Sequence, residues 1–241
     1  MKAALKSFLE KLFNQKIRKY SYETRMACLL KHYGIQDIVD IGANNGQFVE
    51  WVQKAFISKR TTVHSFEPIK SAFTVLERTA KRYNDKFNWH LHHFALSDNN
   101  GHQDINISVG DATSSSLHQV TENSPVQIIG KETVVLKAFD SLKLGHIDRS
   151  KVLVKIDVQG HEMHVLRGME KYISANRPLI LIEVANLSSY QDDSSLLDFL
   201  EYFDERNYKL LWIEHNITDV LFDREWDLCF VPNEKSRVRK V

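Results

Sequence analysis

At 241 residues the chain is long enough for one substantial α/β domain with a well-buried core. Lysine plus arginine number 32 against 31 for aspartate plus glutamate, which argues against a dedicated nucleic-acid binder. Cys28 and Cys229 fit no zinc-ligand spacing and read as reduced core thiols, and no apolar run reaches the length of a membrane span.

Residues 1–34 read as an N-terminal helical extension. Over 1–20, Leu5, Phe8, Leu9, Leu12 and Phe13 form an apolar stripe, and Lys2, Lys6, Lys11, Lys16, Arg18 and Lys19 add positive charge. Two fates fit such a helix. The preferred one is packing on its own domain or on a second copy of the chain; the other is peripheral contact with an anionic membrane. Charges interrupt these residues too often for a signal-peptide apolar region, so the expected compartment is the cytoplasm. Tyr22 to Tyr33 reads as a further helix, stopped by Gly34.

Residues 35–232 read as one domain, built from Ile38-Val39-Asp40-Ile41-Gly42-Ala43-Asn44-Asn45-Gly46-Gln47-Phe48. A buried strand runs into a turn of glycine and asparagine, the residues most tolerant of positive φ. A helical stripe of Phe48, Val49, Trp51, Val52, Ala55 and Phe56 follows. Strand, glycine turn and helix start make a nucleotide-type site, with bare backbone and free N–H groups facing the ligand. The Gly-x-x-x-Gly spacing is neither the dinucleotide fingerprint nor a Walker loop. Asp40, two positions before Gly42, suits a cationic or amine-bearing ligand. Glu67, ending the strand Thr62 to Phe66, suits both hydroxyls of a ribose. Together they fit S-adenosylmethionine; the plainer alternative is an ordinary strand-turn-helix with a surface Asp.

Further along, Ala72, Val75, Leu76, Ala80 and Tyr83 make a helical face, and Trp89 to Phe94 a third strand. His90 and His92 would share one face of it with His93 opposite, so the three cannot converge on a metal. Asn99-Asn100-Gly101 is a turn. From His102 to Asp140 the parallel pattern lapses into an insertion, either an acceptor grip or a connecting meander, with strands at Gln103 to Ile107 and Val134 to Phe139 around a polar loop at Gly110 to Ser116. Val152 to Ile156 is again a strand. Val165, Leu166, Met169, Tyr172 and Ile173 line one helix, and Leu179 to Ile182 is a strand ending in Glu183. A helix at Leu196 to Phe203, strands at Tyr208–Ile213 and Leu228–Val231, and a frayed basic tail over 233–241 complete the chain.

In this order Asp40 to Gly46, Phe66-Glu67-Pro68, Ala95-Leu96-Ser97-Asp98, Phe139-Asp140-Ser141-Leu142 and Lys155-Ile156-Asp157-Val158-Gln159-Gly160-His161-Glu162 resemble the FkbM-type S-adenosylmethionine-dependent methyltransferases. The resemblance implies a class I methyltransferase (Rossmann-like) fold. That fold has a seven-stranded, mostly parallel sheet with helices on both faces and a terminal antiparallel hairpin. It further implies that Gly42, Ala43, Asn44 and Gly46 surround the methionine end of the donor, that Glu67 holds the ribose, and that Ala95 to Asp98, Ala95 and Leu96 above all, flank adenine. It implies O-methylation of a carbohydrate or similar small-molecule acceptor. The family commonly has Glu where this chain has Gln159.

Methyl transfer to a hydroxyl needs a proton acceptor, sought among Asp157, His161 and Glu162 at the end of a central strand. His161 is the preferred base, and Asp157 positions donor and acceptor. No resident metal is expected; the competing route has Asp157 and Glu183 holding a divalent ion. Plainer roles are a helix cap for Asp157, a first-turn acid for Glu162 and a solvent residue for His161. Two other functional classes stay open: a nicotinamide oxidoreductase, and a non-catalytic module binding a partner through the basic helix.

Overall fold

The structure, a computed structural model, describes residues 22–53, 61–108, 117, 127–144, 151–184, 194–213 and 226–236. The basic helix of 1–20, the Ala55–Phe56 end of the stripe that begins at Phe48, and the polar loop at 110–116 lie outside them.

Strand β1 (Asp37–Ile41) pairs in parallel with β2 (Thr61–Phe66) on one side and with β7 (Val152–Ile156) on the other. From β1 the chain steps outward through β2 to β3 (Phe87–His92), then returns across β1 to β7 and β8 (Leu179–Val184). Two antiparallel strands, β9 (Tyr208–Ile213) and β10 (Trp226–Pro232), close the sheet in the order β3-β2-β1-β7-β8-β10-β9. This is the mostly parallel seven-stranded sheet with a terminal hairpin expected from the sequence. The reversal between β1 and β7 opens a crevice at the carboxyl ends of the strands.

Alternation along each strand divides the core. Val39, Ile41, Val154, Ile156, Ile180 and Ile182 face α4 (Glu162–Gly168), α5 (Glu170–Asn176) and α6 (Leu196–Glu205). Ile38, Leu153, Leu179, Leu181, Cys229 and Val231 face α1 (Tyr22–His32) and α2 (Gln47–Val52) on the opposite side. Central strands buried on both faces read as near-continuous apolar runs, which is why Val152–Ile156 was found to the residue. Cys28 departs from the expectation: it is exposed on α1, while Cys229 is buried, its thiol pushed up to about 12 by burial.

Two helical faces also need correction. On α3 (Lys70–Arg82) Thr79 is buried and Val75 is 43% exposed, because at about 100° per residue position 79 lies nearer the axis through Ala72 and Leu76 than position 75 does. On α2, Phe48, Val49 and Val52 are buried but Trp51 is 50% exposed. The single helix read from Val165 to Ile173 is broken at Met169, although its expected face stays buried.

The insertion is a second sheet, in which β4 (Ala95–Ser97) pairs in parallel with β6 (Ile128–Ala138), and β6 pairs antiparallel with β5 (Gly101–Ser108). Strand β6 starts at Ile128, earlier than expected, since its first half is largely exposed and carries no buried alternation. Ile105, Val134 and Leu136 cover Ile69, Ala72 and Leu117 in a small core of their own.

His90 and His92 share a face as expected, and His93 stacks on Phe73 instead. The partner not foreseen is His64 of β2, stacked on His90 at 4.6 Å and 3.1 Å from His92 through Nδ1 and Nε2. Burial, then the neighbouring rings, pushes His64 down to about 3, and burial, His90 and Lys137 push His92 down to about 4, so these two rings pack as neutral groups. Residues 233–236 are not frayed: Lys235 Nζ donates to the Arg177 carbonyl at 2.6 Å, and Arg177 pairs with Glu234 at 3.0 Å.

At Gly168 an added Cβ would meet the backbone carbonyl of Ser97, so the end of α4 packs directly on β4. Gly168→Ala is expected to destabilise the protein by about 1–3 kcal/mol in urea denaturation. Gly101→Ala, where a Cβ meets nothing within 4 Å, serves as the control. Equal stability of the two variants would contradict the close approach.

Candidate active site

The turn after β1 is tied to its neighbours by backbone. Gly42 and Ala43 N–H both donate to the Phe66 carbonyl at 3.0 Å, and Gly46 N–H donates to Ala43 at 2.8 Å. Asn44 and Gly42 take positive φ, 48° and 72°. A Cβ on Gly42 would run into the Asp157 carbonyl. This glycine therefore lets β1 and β7 close together, rather than clearing space for a ligand as its position in the sequence suggests.

Each strand of the crevice carries a polar residue one position in from its end at this edge, on the face of the sheet toward α2. Asp40 pairs in register with Ser65 and Lys155, and Glu183 with Asp227. Lys155, which sequence reasoning passed over as a side chain, is the centre of the row. Its Nζ donates to the Gly42 carbonyl and to Asp157 Oδ2, both at 3.0 Å, and stands 3.7 Å from Asp40 Oδ1. Burial alone would lower its pKa; Asp157, Asp40 and Glu183 more than reverse this and hold it above the ordinary lysine value. Burial raises Asp40, which is fully enclosed, and Lys155 opposes that shift. The signal that could have found Lys155 is its place one register step from Asp40 in an otherwise apolar strand.

The cavity at these strand ends has a volume of about 460 Å³, of the size that holds a small-molecule cofactor. Gly42, Ala43, Asn44, Glu67, Ala95, Leu96, Asp157 and His161 all line it. Asp40 and Gly46 do not: Asp40 lies behind Lys155, and Gly46 is turned toward Leu76, Trp89 and Thr79. Glu67 is fixed by two backbone donors, Asn44 N–H on Oε2 at 2.9 Å and Ile69 N–H on Oε1 at 2.8 Å. Burial pushes its carboxyl up to about 7 against these bonds. Lining residues that the sequence left unassigned are Ile105 and Leu117 from the insertion, and Gln47, Trp51 and Asp227.

The expected proton acceptors separate. Asp157 accepts from Lys155 and, through Oδ1, from Gln159 Nε2 at 3.0 Å; it caps no helix. Glu162 does not reach the cavity. It folds back onto its own loop, accepting Val158 N–H at 3.2 Å and Gly160 N–H at 3.1 Å on both oxygens. It is 1% exposed, and burial pushes it up to about 8. Its role is to hold the turn in which Gln159 and Gly160 take φ of 55° and 95°. His161 is 4% exposed, not a solvent residue, and its Nε2 is 3.0 Å from Ser97 Oγ. Asp98 points out of the cavity toward His164 Nδ1, 2.7 Å away, and so does not flank the space beside Ala95 and Leu96. Among the described residues no group of three or more His, Cys, Asp or Glu side chains is arranged to hold a metal ion.

A family model described as a methyltransferase FkbM domain matches residues 40–210. Methyltransferase 1 of Beauveria bassiana (strain ARSEF 2860) is 27% identical over 152 residues, covering 55% of this chain and 58% of that protein. A crystal structure of methyltransferase FkbM from Methylobacillus flagellatus KT superposes with a TM-score of 0.53 at 19% identity, covering 81% of this chain and 43% of that one. The chain thus spans less than two thirds of the length of either protein, and the structural likeness is one of fold.

A carboxyl raised from 4.5 to about 7 keeps its proton in the folded state over a range where the unfolded chain has lost it. Stability from Glu67 is therefore lost as pH rises from about 4.5 through about 7. Relative to Glu67→Gln, the wild type should lose up to roughly 3 kcal/mol in urea denaturation across that window. A difference between the two that does not change with pH would contradict the buried, proton-holding Glu67.

Proposed function

This chain belongs to the methyltransferase FkbM domain family, and from that premise we propose that it is an S-adenosylmethionine-dependent O-methyltransferase acting on a hydroxyl of a carbohydrate or glycan. The observation that carries the donor is the surplus of negative charge at the strand ends. Lys155 faces Asp40, Asp157 and Glu183, and of these Asp157 and Glu183 line the cavity together with Asp227. S-adenosylmethionine brings a sulfonium and an ammonium to such a site. A nicotinamide dinucleotide brings a pyrophosphate, which these carboxylates would repel.

The residues present fit that donor. Asn44 and the Gly42–Ala43 backbone would meet its methionine end, with Asp157 beside them. Glu67 would accept from the ribose hydroxyls, and the apolar walls of Ala95, Leu96, Ile105 and Leu117 would enclose adenine. When bound, the donor supplies an electrophilic methyl group on a positively charged sulfur. What the protein adds is alignment of the acceptor oxygen behind that methyl and removal of its proton.

Among the groups lining the cavity, His161 is our base, taking the proton directly or through a water on the ring nitrogen turned away from Ser97. Asp157, engaged by Lys155 and Gln159, is a positioning group. Gln159 cannot accept a proton near neutral pH, and serves to orient Asp157. Support for a hydroxyl-rich acceptor comes from Trp51, a half-exposed ring that lines the cavity along with Gln47, Glu183 and Asp227. An aromatic face packs against the C–H face of a sugar, while carboxylates and an amide take its hydroxyls.

Calorimetric titration should show binding of S-adenosylmethionine and none of NAD; the reverse would overturn the reading. Labelled methyl should pass from S-adenosylmethionine to a glycan hydroxyl. Trp51→Ala should raise KM for that acceptor with donor affinity unchanged, whereas Asp157→Asn should weaken donor binding and turnover together. Loss of donor binding in Trp51→Ala would move the tryptophan to the donor side.

A further inference from the structure

Outside the cavity wall, His161 is the inner end of a chain of polar side chains that runs to the surface. Ser97, 1% exposed, lies between it and Asp98, with Oγ 3.0 Å from His161 Nε2 and 3.2 Å from Asp98 Oδ1. The other carboxylate oxygen of Asp98 is 2.7 Å from His164 Nδ1, and the His164 ring stacks on His161 at 4.4 Å with an interplanar angle of 11°.

The charges in this chain set the direction of its hydrogen bonds. Partial burial works to raise the Asp98 carboxyl, but the hydrogen bond and charge of His164, with the Ser97 hydroxyl, outweigh it and hold it below the usual carboxylate range. An ionised carboxylate only accepts, so His164 must donate from Nδ1. Asp98 Oδ1 also accepts from Asn99 Nδ2 at 3.0 Å, and as a charged acceptor it draws the single Ser97 proton more strongly than a neutral ring nitrogen does. Ser97 Oγ can then only accept from His161. In the neutral ring Nε2 therefore carries the hydrogen, and Nδ1 is the basic position.

We propose that Ser97 and Asp98, braced by His164, are positioning residues that lock His161 in its Nε2–H tautomer and so present Nδ1 as the base for the acceptor hydroxyl. The inference rests on His161 being the base, as proposed above. When Nδ1 takes the hydroxyl proton, the acceptor oxygen keeps the electron pair for its new bond to carbon, and the Nε2 hydrogen stays in place. The imidazolium then faces the Asp98 charge through the oriented Ser97 hydroxyl. This is a serine-bridged version of the carboxylate that fixes a histidine tautomer in hydrolytic triads. No motif announces it, because Ser97 and His161 are 64 residues apart in the chain.

The test is nitrogen-15 NMR of the histidine rings in the protein without ligands, with kinetics alongside. Wild type should show His161 protonated on Nε2. In Ser97→Ala, which keeps the volume and removes the hydroxyl, the tautomers should redistribute. There kcat should fall roughly 10- to 10²-fold with S-adenosylmethionine affinity within about twofold of wild type. Asp98→Ala, a partly exposed change outside the tight Ser97 contact, should behave alike and carries the test if Ser97→Ala fails to fold. A wild-type Nδ1–H tautomer, or variants with unchanged tautomer and kcat, would overturn the proposal. A locked tautomer in a protein that methylates no acceptor would support the lock and sink the methyltransferase reading instead.

Discussion

Lys155 Nζ, with its side chain 12% exposed, donates to the carbonyl of Gly42 and to Asp157 while Asp40 stands behind it. These contacts join the turn after β1 to the end of β7 across the gap where the strand order reverses, and the cavity depends on that join. Taking an ammonium and two carboxylates largely out of water costs several kcal/mol per ion. The cost is offset only because each charge finds another, and the lysine holds its proton more firmly than in water. A turn that drifted from β7 would take the Gly42 carbonyl from a buried ammonium, so the lysine holds the nucleotide end of the site against β7.

The same row of strand ends explains what the sequence disclosed and what it withheld. A strand buried on both faces must be apolar, so β1, β2, β7 and β8 were legible as runs, and the polar residues at or just past their carboxyl ends marked the functional edge. Asp40, Glu67 and Asp157 were read in this way. Lys155 was not, because a lysine near a strand end looks like an ordinary exposed side chain until register sets it beside Asp40. Glu162 shows the converse. Its position in a motif suggested chemistry, yet its carboxyl group is taken up by the Val158 and Gly160 N–H groups of the positive-φ turn.

The insertion was the least legible part. Strand β6 is buried on one face over part of its length, so neither an apolar run nor a clean alternation announces Ile128–Thr133. Yet the second sheet brings Ile105, with Leu117 packed against it, to the cavity and anchors Ser97 against Gly168, beside the histidine that the proposed chemistry uses. Helical periodicity failed in smaller ways that also matter. Trp51 fell on an apolar stripe in the sequence, but its ring looks into the cavity mouth instead of the core.

The central claim is that Lys155 shapes the donor site by pinning the glycine turn to β7. Titration of S-adenosylmethionine into Lys155→Met, with a denaturation curve on the same sample, tests it most directly. The expected result is a folded protein less stable by about 3–5 kcal/mol, with donor affinity reduced tenfold or more. A variant as stable as wild type that binds S-adenosylmethionine equally well or more tightly would contradict it.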